Sequence, residues 1–384
     1  MGTGAGLRSQ ARGGIAGARG LSGEVAALLA EGIAQGHHLG GQVCAMRDGR
    51  EALHLAVGEA RPGEPMTAAH LLHWFSAGKP FAAVAFGQLW ERGLCHLDDP
   101  VARHLPEFAQ HGKEAITLRH VLTHTGGFRS RLDLEWSAES WTEHIARVCA
   151  AKRERDWSPG RKAGYHIASG WFVLAEVLRR LDGRPYDCYV REEIAEPLGL
   201  ADTWFTLSAE GYRAYGDRLA PIFTTEGERS HPLEFWLGAS GAGALLPGAS
   251  ARGPVRDLAR FYAMLLGGGQ LDGCRLLLPQ TVEALVARQR TGLYDHTFGH
   301  EIDWGLGFII ESSRYGVETV PYGYGRHASV RTFGHGGQQS SSGFADPECG
   351  LAVAIAVNGM PGERVHQRRF LDLLSALYVD LDLA

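Results

Sequence analysis

The alternation of apolar and polar positions divides the chain into recognisable elements. Val25, Leu28, Leu29 and Ile33 recur at helical spacing, which predicts a helix over residues 23–36. Two β-rich runs, 41–47 and 51–57, flank Asp48-Gly49, a hairpin signal. From Ser76 to Arg92-Gly93 the chain is apolar on nearly every side of a helical projection, so this helix should be buried. Pro80 is tolerated only in a first helical turn, which puts Ser76 at the N-terminal edge. Short helices and loops are expected over 98–128, and longer helices over 165–183 and 254–267, the last closed by Gly267-Gly268-Gly269. The C-terminal third changes period. Val330–Phe333, Ser341–Ala345 and Leu351–Val357 read as strands, and 363–379 as an amphipathic helix.

Strands at both ends with helices between them indicate an α/β fold, an antiparallel sheet flanked by helices with an inserted mainly helical domain. The expected division is a flexible tail at 1–20, an α/β domain from 21–75 and 240–384, and a helical domain at 76–239. A length of 384 residues and a 45% hydrophobic fraction suit such a globular protein. A net charge of -5 gives no reason to expect nucleic acid or a membrane as partner. There is no long apolar span, and the first 20 residues carry no continuous apolar segment of the secretory type, so a cytoplasmic location is expected. Six scattered cysteines form no C-x-x-C pair and are expected as buried free thiols.

Candidate chemistry begins with lysine usage. Only Lys79, Lys113, Lys152 and Lys162 interrupt an otherwise all-arginine basic set. An amine can give up its proton when buried, whereas a guanidinium stays charged. Ser76 and Lys79, three apart, face one side of a helix, the layout of a nucleophile and its base. A bare S-x-x-K is weak, but a lysine on a buried helix needs a reason. Competing chemistries fail on their motifs. Gly238-Ala239-Ser240-Gly241-Ala242 breaks the G-x-S-x-G elbow at its last position, and neither H-E-x-x-H nor a phosphate loop is present. No metal or cofactor is expected.

Around Ser76-Ala77-Gly78-Lys79-Pro80 the chain resembles the serine β-lactamase and penicillin-binding-protein superfamily, in its class C-like esterase and transacylase branch. The likeness continues through Leu97-Asp98-Asp99-Pro100, Leu122-Thr123-His124-Thr125-Gly126-Gly127, Pro159-Gly160 and Pro197-Leu198-Gly199-Leu200. It runs on to Asp257-Leu258-Ala259-Arg260-Phe261, Trp304-Gly305-Leu306-Gly307 and Gly334-His335-Gly336-Gly337. The resemblance implies that Ser76 is acylated, that Lys79 and Tyr165 move its proton, and that the N–H groups of Ser76 and Gln338 form an oxyanion hole. It places Ile167, His335, Gly336, Gly337 and Trp304 against the substrate. Ile167 stands where the family carries an amide-binding asparagine, and Asn358, the sole asparagine, is far along the chain. His335 stands where β-lactamases carry lysine. These departures point to a small-molecule ester or amide rather than β-lactams or cell-wall peptide. The acyl group would pass to water, or to an amine or alcohol as in transacylases of natural-product biosynthesis. The alternative is a catalytically silent, penicillin-binding-like sensor.

Overall fold

The computed structural model describes residues 23–129, 140–227, 230–316 and 323–384; the expected tail at 1–20 lies outside them. Helix α1 (Glu24–Ala34) leads into the hairpin β1 (Gly40–Arg47) and β2 (Arg50–Arg61). Asp48 and Gly49 both adopt left-handed backbone (φ 49° and 75°), the conformation a two-residue turn between twisted strands requires. The short β3 (Glu64–Pro65) follows, then α2 (Pro80–Glu91), α3 (Trp141–Ala150), α4 (Ser169–Asp182) and α5 (Val255–Leu266). The chain ends with β4 (Ile309–Ile310), β5 (Phe333–Gly337), β6 (Ser341–Asp346), β7 (Leu351–Val357) and α6 (Glu363–Asp380).

The strands form one seven-stranded sheet in the order β4-β5-β6-β7-β1-β2-β3, and its pairings are antiparallel. The first hairpin therefore pairs with the last strand, Val43 opposite Ile355. Side chains of β7 split by the period of two. Val353, Ile355 and Val357 join Val43 and Ala45 beneath α1 and α6, with Leu29, Phe370 and Leu374. Ala352, Ala354 and Ala356 face the other way, into the core shared with α5. Burying each large aliphatic there contributes roughly 1.5–3 kcal/mol. A one-residue slip would exchange that set for alanines, so the register is strongly fixed.

Helix α2 is buried from Pro80 to Leu89. Phe81 stacks on Phe261 of α5 at 4.0 Å, which ties the helical region to the sheet. Two elements differ from expectation. Helix α4 begins at Ser169 rather than 165, because Tyr165 N donates to Asp295 Oδ1 (3.0 Å) and His166 N to His124 Nδ1 (3.1 Å) instead of entering the helical ladder. The strand expected at Val330–Phe333 starts only at Phe333. Val330 is exposed, and Thr332 N closes a turn onto Ser329 O. Cys44, Cys95 and Cys149 are buried free thiols as expected, but Cys188 is exposed. No helix among the described residues is long and apolar enough to cross a membrane.

Candidate active site

Ser76 lies on a single 3-10 turn, Phe75–Gly78, one turn ahead of α2 rather than within it. Its predecessor Trp74 is clamped on three sides. Trp74 N donates to Ala251 O (2.8 Å), its indole Nε1 to Gly253 O (2.9 Å), and its carbonyl accepts from Ser341 Oγ (2.7 Å). Phe75 is forced into left-handed backbone, φ 47°, at a cost of about 1–2 kcal/mol for a residue with a side chain. Its ring offsets this by burial against His73 (4.2 Å) and Trp236 (5.7 Å). The turn presents the Ser76 hydroxyl toward Lys79 and Tyr165.

Lys79 is fully buried. Its Nζ donates to Ser76 Oγ at 2.7 Å and to Gly248 O at 2.5 Å, and sits 5.4 Å from the ring centres of both Tyr165 and Trp171. A Cβ at Gly248 would come within 3.0 Å of that amine, so glycine is what lets this carbonyl reach it. Tyr165 OH donates to the same Ser76 oxygen at 3.0 Å. One hydroxyl thus touches both a buried amine and a phenol.

Tyr165 is held from behind. Asp295 Oδ1 accepts from the backbone N–H groups of Tyr165, Thr297 and Phe298 (3.0, 2.9 and 3.1 Å). Its other oxygen pairs with Arg290 Nη2 at 2.9 Å, both side chains being out of water. Arg290 Nη1 in turn donates to Thr123 O (3.1 Å), and its guanidinium lies over Trp304 at 5.3 Å. Trp304, fully buried, stacks behind Tyr165 at 5.7 Å and beside His335 at 5.6 Å.

The strand end Gly336-Gly337 packs on the nucleophile turn. A Cβ at Gly337 would lie 2.0 Å from Trp74 O, so only glycine permits this approach; Gln338 is the next residue of the chain. His335 is buried. Its Nδ1 donates to Gly336 O (2.7 Å), while Nε2 meets no partner. Burial, aided by the charge of Lys79, pushes His335 down to about 3, so it is a neutral imidazole across the working range. Ile167 is half-buried, with its carbonyl directed at Gly248, and it offers no amide. His124, in left-handed backbone, packs against Tyr165 (4.8 Å) and Trp304 (4.4 Å).

The structure therefore brings Ser76, Lys79 and Tyr165 into mutual contact and sets Trp304, His335 and Gly337 around them. Sequence reasoning missed Gly248, Trp171 and the Asp295–Arg290 pair. Pro247-Gly248 belongs to no chemical motif. A carboxylate that works by holding a backbone 130 residues away leaves no local pattern.

The family described as Beta-lactamase matches residues 25–377. The chain belongs to the beta-lactamase family. Within it, the chain is similar to esterase EstB of Burkholderia gladioli, 29% identical over 345 residues, covering 82% of this chain and 84% of that protein. It is 28% identical over 314 residues to the esterase/beta-lactamase LipL of Mycobacterium tuberculosis, covering 74% of this chain and 68% of the relative. Among solved structures, a penicillin-binding protein homologue from Caulobacter crescentus superposes with a TM-score of 0.75 at 29% identity, covering 93% and 96% of the two chains. Family membership agrees with the expected fold and supports serine hydrolase or acyl-transfer chemistry.

Proposed function

We propose that this beta-lactamase family member is an esterase-type acyl-transfer enzyme with Ser76 as its covalent nucleophile. The observation that carries the reading is the double contact on Ser76 Oγ, 2.7 Å from Lys79 Nζ and 3.0 Å from Tyr165 OH. In the reacting state Lys79 is neutral and takes the Ser76 proton as the hydroxyl attacks an ester carbonyl, with Tyr165 relaying it to the leaving alcohol. The N–H groups of Ser76 and Gln338 receive the developing oxyanion. The acyl-enzyme then passes its acyl group to water, or to an amine or alcohol held in the site, where proximity competes with bulk water. Ile167 and neutral His335 remove the amide and the fixed cation that β-lactam or peptide recognition uses, and EstB is named for ester cleavage, LipL for both activities. The acceptor defines the finer assignment, esterase or transacylase.

The test is intact-mass spectrometry after mixing with activated p-nitrophenyl esters, with and without an amine series. We expect one acyl adduct on the peptide carrying Ser76, none in Ser76→Ala, and released acid. Amide in the product mixture assigns transfer; acid alone at every acceptor concentration assigns plain hydrolysis. An adduct that forms and never turns over makes the protein a penicillin-binding-like sensor, and an adduct on another serine overturns the proposal.

A further inference from the structure

Behind the nucleophile turn, Leu72–His73 and Arg252–Gly253 form a two-stranded ladder in which His73 lies directly opposite Arg252. Cross-strand partners of this kind share a face. Arg252 is only 5% exposed. Its Nε and Nη2 are shielded from water and meet no hydrogen-bond acceptor, and no carboxylate among the described residues pairs with it. The other deeply buried arginines are answered. Arg290 has Asp295, and Arg369 donates to the carbonyls of His37, Gln339 and Gly359. Burial draws Arg252 down to about 10, which leaves it a cation at neutral pH. A buried guanidinium without counter-charge or acceptor is costly and calls for a partner. His73 Nε2, also buried, lacks a partner too.

Both side chains line a cavity of about 400 Å³, walled by Leu71, Ile222, Trp236 and Tyr212 and rimmed by the exposed Arg213. Arg61 and Asp217 also border it, but they are taken up in an ion pair with one another. The remaining charged groups, Arg252 and Arg213, are thus cations and the walls are apolar. The volume falls in the range of small-molecule sites. We propose that this cavity is a binding site for a small carboxylate with an apolar or aromatic body, its carboxylate seated on Arg252 and its body against Trp236. Its lining includes none of Ser76, Lys79 and Tyr165, so this is a second site, distinct from the acyl chemistry. It shares a segment with that chemistry, because Gly248, four residues before Arg252, holds Lys79.

Ser76→Ala protein, which cannot be acylated, is titrated by calorimetry with sodium benzoate and with neutral benzamide. Benzoate should bind saturably at one site, and benzamide at least about tenfold more weakly, since a charge-assisted pair to arginine is lost. Arg252→Gln should weaken benzoate on the order of 10–100-fold. Its ligand-free melting temperature should be no lower than that of the parent, because an unanswered buried charge has been removed. Arg213→Ala, at the exposed rim, keeps the fold intact and should weaken benzoate a few-fold. It decides the matter together with the benzoate-to-benzamide ratio if Arg252→Gln does not fold. No saturable benzoate binding, equal binding of benzamide, or benzoate affinity indifferent to both arginine substitutions would overturn the site.

Discussion

Lowering the pH should unfold this protein in a narrow window, and the magnitude follows from its buried histidines. His38, His73, His124, His335 and His366 are all buried. Burial holds each well below the ordinary histidine range, to about 3 for His38 and His335. Nearby cations add to it: Arg369 beside His38 and His366, Arg252 beside His73, Lys79 beside His335. The unfolded chain takes up these protons below about pH 6.5, whereas the folded chain refuses them until well below that, until about 3 for His38 and His335. Stability is therefore full above the unfolded value and falls as pH drops toward the folded one. Each such group contributes a slope of about 1.4 kcal/mol per pH unit, so five give roughly 7. Asp257 opposes them. Burial raises its carboxyl to about 6, so the folded state binds that proton first and offsets one histidine, leaving about 5–6 kcal/mol per unit. A domain stability of about 5–15 kcal/mol would then be exhausted within roughly one to three pH units. We expect a cooperative transition with a midpoint between about pH 4 and 5.5, followed by tryptophan fluorescence and far-UV circular dichroism. Substituting His335 by Gln should flatten the slope by about one proton. Native signals persisting to about pH 3.5 would show that these imidazoles accept protons inside the fold and that the reasoning is wrong.

Lys79→Arg should abolish ester turnover nearly as completely as Lys79→Ala, because a guanidinium cannot take the Ser76 proton; appreciable p-nitrophenyl ester hydrolysis by the arginine variant would show that only positive charge is needed there. Tyr165→Phe keeps the stacking on Trp304 and should lower kcat on the order of 10²–10⁴-fold, and a rate within a few-fold of wild type would reduce the hydroxyl to a spectator. Asp295→Asn leaves Arg290 uncompensated and should cost about 3–5 kcal/mol in urea unfolding, with kcat falling as Tyr165 loosens. Adding Arg290→Met to that variant should recover much of the stability, and no recovery would mean that the pair's charge is not what matters.

The regular parts of the fold were legible where one physical signal dominated. β-rich runs around a two-residue turn marked β1 and β2, and a helical stripe marked α1 and α5 to within about one residue at most ends. The strand before His335 is cut short by the turn from Ser329 to Thr332, and the start of α4 is decided by tertiary partners. Asp295 and His124 capture the backbone at Tyr165 and His166, which local propensity cannot foresee. The candidate site divides along the same line. Ser76 and Lys79 are three residues apart, so their contact is local and readable. Tyr165 was reached through family resemblance. Gly248 and Asp295 act through a carbonyl and a carboxylate aimed at distant backbone or amine groups, and neither residue type advertises that role in sequence.

The pairing of β1 with β7 has a consequence for biosynthesis. Val43 and Ala45 are made early, yet their strand partner, Leu351–Val357, and the helix that covers them, Glu363–Asp380, emerge about 300 residues later. At about 5–20 residues per second the ribosome takes roughly 15–60 seconds to deliver them. During that interval the first hairpin has no neighbour on its β7 edge and lacks part of its apolar cover, the condition under which nascent strands associate wrongly. The nucleophile turn waits as well, since Gly337 and Ser341, which clamp Trp74, arrive in the same late stretch. A ribosome stalled anywhere before residue 333 would therefore carry Ser76 and Lys79 without the strand that shapes their turn. Activity should appear only on completion of the sheet, and the nascent chain should depend on holding factors in proportion to how slowly its last 60 residues are translated.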